Sequence, residues 1–174
     1  MGQPLRPDPA TRMRDTWQRL RPIPGGRVLF RWLIGWLIPY TGTIHATVLE
    51  LSPGRARVQM RDRWRVRNHL GSIHAIALAN LAEFTGGVAL AAGLPETVRG
   101  IVVGISINYL KKARGTLTAE CTCQPPEVSV RTEYQVTTAV RDAAGDVVAM
   151  ATARWLLEPI APAAPQPVKS TPGI

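Results

Sequence analysis

Residues 72–92 are rich in Ala and Leu and carry one acid, Glu83, with Asn80 just before it and the pair Gly86-Gly87 just after. A carboxyl without a purpose is costly to bury in such company, so Glu83 reads as a reacting or substrate-facing group. Apolar surroundings raise a carboxyl pKa, which suits a base working near neutrality. The start of the same helix offers a second chemistry. Its unpaired N–H groups lie at the positive end of the helix dipole, and the N–H of Ala75 can hold a carbonyl oxygen as it gains charge. A base and an oxyanion donor are two of the groups that hydrolysis at a carbonyl carbon needs. Eight residues separate Ala75 from Glu83, about 12 Å along a helix axis. They cannot meet in one chain. Two antiparallel copies side by side would bring Glu83 of one to the helix start of the other, so the expectation is a homodimer, with further pairing to a homotetramer left open.

The neighbouring polar residues each have a plainer reading beside the chemical one. Asn68 suits the turn into the helix as a cap, a role compatible with one in the site. His74 reads as a capping or core histidine or as a proton carrier. Asn80, one turn from Glu83, can satisfy that acid or meet substrate. Lys111, Lys112 and Arg114 close a strand-like run and suit the phosphates of coenzyme A, although a Lys-Lys pair at a turn is also an ordinary solvated feature. No His or Cys cluster has metal-ligand spacing, and no metal is expected. Cys121 and Cys123 fall on one face of a strand, where they cannot easily bridge; they read as reduced thiols in a cytoplasmic setting.

The elements that must position these groups follow from the pattern. The 174 residues, 45% hydrophobic and 19% charged, fit one soluble domain with an adequate core. Residues 11–21 are helix-like and Arg-rich. Residues 25–40 (GGRVLFRWLIGWLIPY) are too short and too interrupted to span a bilayer. Trp32, Leu33, Trp36 and Leu37 share one helix face, to be packed across a sheet or subunit boundary or laid on a membrane surface. Residues 43–51 and 55–68 alternate like strands around the turn signal Ser52-Pro53-Gly54. In the second run the even positions, including Trp64 and Val66, read as mostly buried, and the odd ones form a basic face. Strand-like runs follow the long helix at 99–111, 115–124, 128–142 and 146–157. The expected organisation is N-terminal helices over 1–41, a main domain over 42–158 and a disordered Pro- and Ala-rich tail over 159–174.

The formal charge is +9. Residues 1–31 hold seven arginines against two aspartates, and residues 54–67 six arginines against one aspartate. An anionic partner fits that clustering, be it a lipid surface or a phosphorylated cofactor such as coenzyme A. Nucleic acid is not expected, because the Arg-rich run lacks aromatic stacking platforms.

One apolar helix enclosed by six antiparallel strands, behind two leading helices, is the α+β architecture called the hotdog fold. Asn68-His69-Leu70-Gly71-Ser72-Ile73-His74-Ala75, followed by Leu78, Leu81 and Glu83, resembles the hotdog acyl-CoA thioesterases of the phenylacetate-pathway type. It is similar also to an uncharacterised hotdog family placed beside them. In those thioesterases an Asn is followed after five residues by His-Gly-Gly and then by an acid on the central helix. Asn68, His74 and Glu83 match these, and Ser106-Ile107-Asn108-Tyr109-Leu110 looks like the family's strand leading into its next turn. Ala75-Ile76 stand where the family has Gly-Gly, and a strand position that bears a catalytic hydroxyl in some relatives falls on Val102. The resemblance spans roughly residues 42–157. It implies hydrolysis of acyl-CoA thioesters in a composite dimer site. Glu83 is then the base or nucleophile, Asn68, Ala75 and His74 belong to the catalytic set, and Asn80, Ser106, Lys111, Lys112 and Arg114 contact substrate. Coenzyme A enters only as part of the substrate. Two alternatives stay open: a non-catalytic acyl-binding protein, and a hydroxyacyl dehydratase using His69 and Glu83, which lie fourteen apart without the flanking motif of that class.

Overall fold

Residues 9–160 are described by the structure, a computed structural model. Three helices lead: α1 (Pro9–Leu20), α2 (Gly26–Leu37) and the short α3 (Pro39–Gly42). The hairpin β1 (Thr47–Ser52) and β2 (Arg55–Met60) precedes the central helix α4 (Ala75–Gly93). Four strands then follow: β3 (Val98–Tyr109), β4 (Leu117–Thr122), β5 (Thr132–Arg141) and β6 (Val147–Pro159). All six strands form one antiparallel sheet in the order β1-β2-β4-β5-β6-β3. Helix α4 packs along it, touching every strand. This is the hotdog fold.

Helix α4 is long and apolar enough to cross a membrane, yet 67% of that stretch is buried inside the fold. Leu81, Leu90 and Ala89 face the inner sheet residues Val58, Met60, Leu117, Val136 and Val140, all but sealed from solvent. Two glycines let the helix come this close. A Cβ on Gly86 would stand 2.9 Å from the Thr138 hydroxyl, and one on Gly87 would stand 3.1 Å from the Trp155 ring. The pair thus marks where α4 presses on β5 and β6. The hairpin is hooked to the same helix through its turn. Gly54, at φ +71°, donates its N–H to the Ala89 carbonyl (3.0 Å) and accepts from Cys123 N–H (2.8 Å).

Helices α1 and α2 close part of the remaining side. Gly26, Phe30 and Ile34, four residues apart, form the buried face of α2, and Phe30 meets Trp17 of α1 with ring centroids 5.2 Å apart. Pro39 ends α2 as expected, but it then opens α3 from its first turn, where a missing N–H costs nothing.

The structure corrects several expectations. The strand expected over 55–68 ends at Met60. Asp62 draws the chain around, accepting from Arg67 Nε at 2.6 Å and from Gly115 N–H at 3.0 Å, and residues 64–66 form a 3-10 turn. Alternation continued past the strand because solvated arginines keep a period of two without any sheet. Trp64, expected inside, is 84% exposed. The basic face is neutralised in part: Arg55 and Arg57 pair with Glu50, Arg57 also with Glu120, and Arg67 with Asp62, while Arg61, Arg63 and Arg65 have no acidic partner among the described residues. The central helix starts at Ala75, not 72, because residues 68–74 fold as a loop. Trp32 and Trp36 lie exposed on the outer face of α2, and Leu37 is exposed at its end. Cys121 and Cys123 are both free thiols. The tail beyond 160 lies outside the described residues.

Candidate functional site

The loop that launches α4 is organised by Asn68. Its Oδ1 accepts from the N–H groups of Leu70 (2.9 Å) and Ser72 (3.2 Å) and from the Ser72 hydroxyl (3.2 Å). Such a side chain replaces backbone partners that a tight loop cannot supply. Ile73 and His74 then donate to the carbonyls of Ala113 and Val66, pinning the loop on both sides. His74 is the N-cap: its Nδ1 accepts from Ile76 N–H at 3.1 Å. Of the two readings of His74, the structure displays the cap.

These bonds leave the N–H of Ala75, at the first helical position, with no hydrogen-bond partner among the described residues. Its carbonyl accepts from the Tyr109 hydroxyl at 3.0 Å, tying the helix start to the end of β3. A cavity of about 340 Å³ opens there, lined by Asn68, Ser72, Ala75, Tyr109, Lys111 and Lys112 among others. Lys111 is already engaged, with Nζ 2.8 Å from Asp142 and 2.6 Å from Asp146, and these acids hold its ammonium well above the ordinary lysine range. Lys112 and Arg114 are exposed, and neither has an acidic partner among the described residues. Ser106 lies exposed on β3, opposite Thr152.

Glu83 occupies a second cavity, of about 440 Å³, between α4, the leading helices and β6. Its walls are Met13, Ile34, Leu37, Ile38, Phe84 and Trp155, with Thr41 and Glu83 adding the polar side chains. Burial pushes the Glu83 carboxyl above the usual carboxylate range, and it has neither hydrogen bond nor ion pair among the described residues. Asn80 does not satisfy it: its Nδ2 donates to the Tyr40 carbonyl at 3.3 Å, fastening α3 to α4. Trp155, whose indole N–H is buried without a partner, stands across the β3–β6 ladder from Val102. The cavity of Glu83 lacks Ala75, and that of Ala75 lacks Glu83. Within one chain the Ala75 N–H and the Glu83 carboxyl therefore lie in separate cavities.

Sequence reasoning missed Trp155 and Tyr109. The Gly86-Gly87 pair, one turn after Glu83, was the available signal for a large ring approaching there. Tyr109 had only its place in the matching strand stretch.

Residues 26–157 match the family model described as a domain of unknown function, DUF4442. No curated protein matches the chain in sequence. Among solved structures, the genomics protein APC5556 is 28% identical, with a TM-score of 0.76 over 84% of this chain and 98% of its own. A Pseudomonas aeruginosa protein described as a probable thioesterase is 24% identical, with a TM-score of 0.68 over 79% of this chain and 97% of its own. A thioesterase from Haemophilus influenzae is 17% identical, with a TM-score of 0.62 over 71% of this chain and 85% of its own. These likenesses establish a hotdog frame shared with thioesterases.

Proposed function

The chain belongs to the DUF4442 family, and from its two half-sites we propose that it hydrolyses acyl-CoA thioesters at a composite site between two copies. One observation carries this reading: a carboxyl, raised in pKa by burial and without a hydrogen-bond or ion-pair partner among the described residues, in a largely apolar cavity. An ionisable group set among apolar walls is costly to keep unless it serves a purpose. The hotdog thioesterases of similar shape support the choice of reaction.

Pairing through β3 is the arrangement that joins the halves. This edge strand of twelve residues has one unpaired side, and Ile101, Val103 and Ile105 are exposed along it. An edge this long and apolar invites another strand. In the dimer, the Ala75 N–H of one copy binds the thioester oxygen beside Glu83 of the other. Glu83 takes a proton from water as the water oxygen attacks the carbonyl carbon. The C–S bond then breaks, the carboxylic acid is released, and Glu83 passes the proton it took to the departing thiolate, which leaves as free coenzyme A. Asn68 acts by positioning the loop, with its Nδ2 left to meet water or the carbonyl. Lys112 and Arg114 meet the phosphates, a role Lys111 gives up to Asp142 and Asp146.

The test is thiol release from a panel of acyl-CoA esters of graded length. Glu83→Gln keeps the shape and should lower turnover at least ~100-fold if general-base chemistry dominates. Unchanged release by this variant contradicts the mechanism. The apolar cavity and the missing hydroxyl at Val102 favour acyl binding without turnover as the second reading, which a silent wild type that still binds acyl-CoA would establish.

A further inference from the structure

Helix α2 is apolar on two faces, and the fold covers one. Opposite Phe30 and Ile34, residues Leu29, Trp32 and Trp36 follow one another at helical spacing and are 51%, 63% and 80% exposed. Leu37 at the helix end, with Ile38 and Tyr40 beyond it, extends the exposed surface. Isolated apolar residues on a surface are ordinary, but a contiguous set with two indoles marks a contact site. Basic side chains gather beside it. Trp32 meets His45 edge-on at 6.3 Å, and Arg63 Nη2 donates to the neighbouring Ile44 carbonyl at 2.8 Å. That bond sets residues 61–67, with the exposed Trp64, against the turn that carries His45. Arg31, Arg63 and Arg65 have no acidic partner among the described residues. They share one electrostatic neighbourhood: desolvation first, then the charges of Arg63, Arg31 and Arg65, hold the His45 imidazole below its usual value. Between the indoles and His45 opens a cavity of about 450 Å³, with Arg31 on its wall.

We propose that this face docks the protein on the surface of an anionic lipid bilayer. Indole rings settle at the boundary between headgroups and acyl chains, and arginines beside them meet lipid phosphates, so the two residue types serve one partner. A second copy fits less well, since a symmetric contact would set the same unpaired arginines against one another. Leu37 and Ile38, at the end of this exposed surface, also line the Glu83 cavity together with Ile34. Docking therefore brings that apolar cavity to the membrane where long acyl chains collect. The docking itself does not rest on catalysis and is read without turnover.

Vesicle sedimentation with the full chain tests it, using phosphatidylcholine alone or with phosphatidylglycerol added. Binding should need the anionic lipid and should weaken as salt rises. Trp32→Ala/Trp36→Ala and Arg31→Glu/Arg65→Glu should each lower partitioning at least ~10-fold, since each basic residue near such a surface contributes about fivefold. In the wild type, lipids brominated near the headgroup should quench indole fluorescence, and the tryptophan variant should lose that quenching. The proposal is overturned if phosphatidylglycerol vesicles are not bound at low salt, or if both variants bind like wild type. It is overturned equally if light scattering shows that the tryptophan variant splits an oligomer, because the face would then be a contact between copies.

Discussion

Helices α2 and α4 are both apolar around most of their circumference, yet the fold treats them differently. The sheet runs along α4 and leaves one flank to a cavity, where Glu83 sits. Helix α2 is covered only along Gly26, Phe30 and Ile34 and turns Trp32 and Trp36 outward. An apolar circumference demands cover without saying what provides it. In each helix the incompletely covered flank is where we propose that the molecule meets something else: an acyl thioester at α4, a bilayer at α2.

Cutting into the two faces of α2 separates them. Phe30→Ala removes a sealed ring from beneath Trp17 and should cost about 3–5 kcal/mol of unfolding free energy. Trp36→Ala, an exposed change, should stay within about 0.5 kcal/mol. Denaturant titration measures both, and equal losses would mean that the outer face is packed in solution.

A smaller effect sharpens the account of α4. Burial raises the folded pKa of Glu83, so the fold favours the uncharged form. The stability this contributes is complete below the unfolded carboxyl value of about 4.3 and is lost as pH rises through the higher folded value. Glu83→Gln stays neutral throughout. It should melt above wild type at mildly alkaline pH, with the gap closing in acid. A thermal melting series across pH reads this, and a wild type that melts higher in alkali would reveal a partner for the carboxylate.

The fold was legible because its central contrast is coarse: one long apolar helix amid alternating strands, with turn signals such as Pro53-Gly54 between them. Glu83 was legible for the same reason, as the lone acid in that helix. What failed was local. Trp64 took a buried position in the reading because the arginine alternation ran past Met60, whereas Asp62 ends the strand by bonding Arg67 and Gly115, a residue far along the chain. Lys111 looked available because its partners, Asp142 and Asp146, lie more than thirty residues away. Asn80 looked like a partner for Glu83 through helix spacing, but the Tyr40 carbonyl reached it first. Patterns report which side of an element is apolar; competition among distant polar groups is settled only by packing.

The central claim is that the half-sites of two copies make one active site, and mixed dimers test it most directly. Ala75→Pro removes the N–H at a position where proline suits a helix, and His74 before it already has the extended backbone that proline prefers. Alone, Ala75→Pro and Glu83→Gln should each be nearly inactive in thiol release. Unfolded, mixed in equal amounts and refolded together, they should recover roughly a quarter of wild-type activity, since half the dimers are mixed and each restores one intact site of two. No recovery, with mixed dimers shown to form, would contradict the composite site.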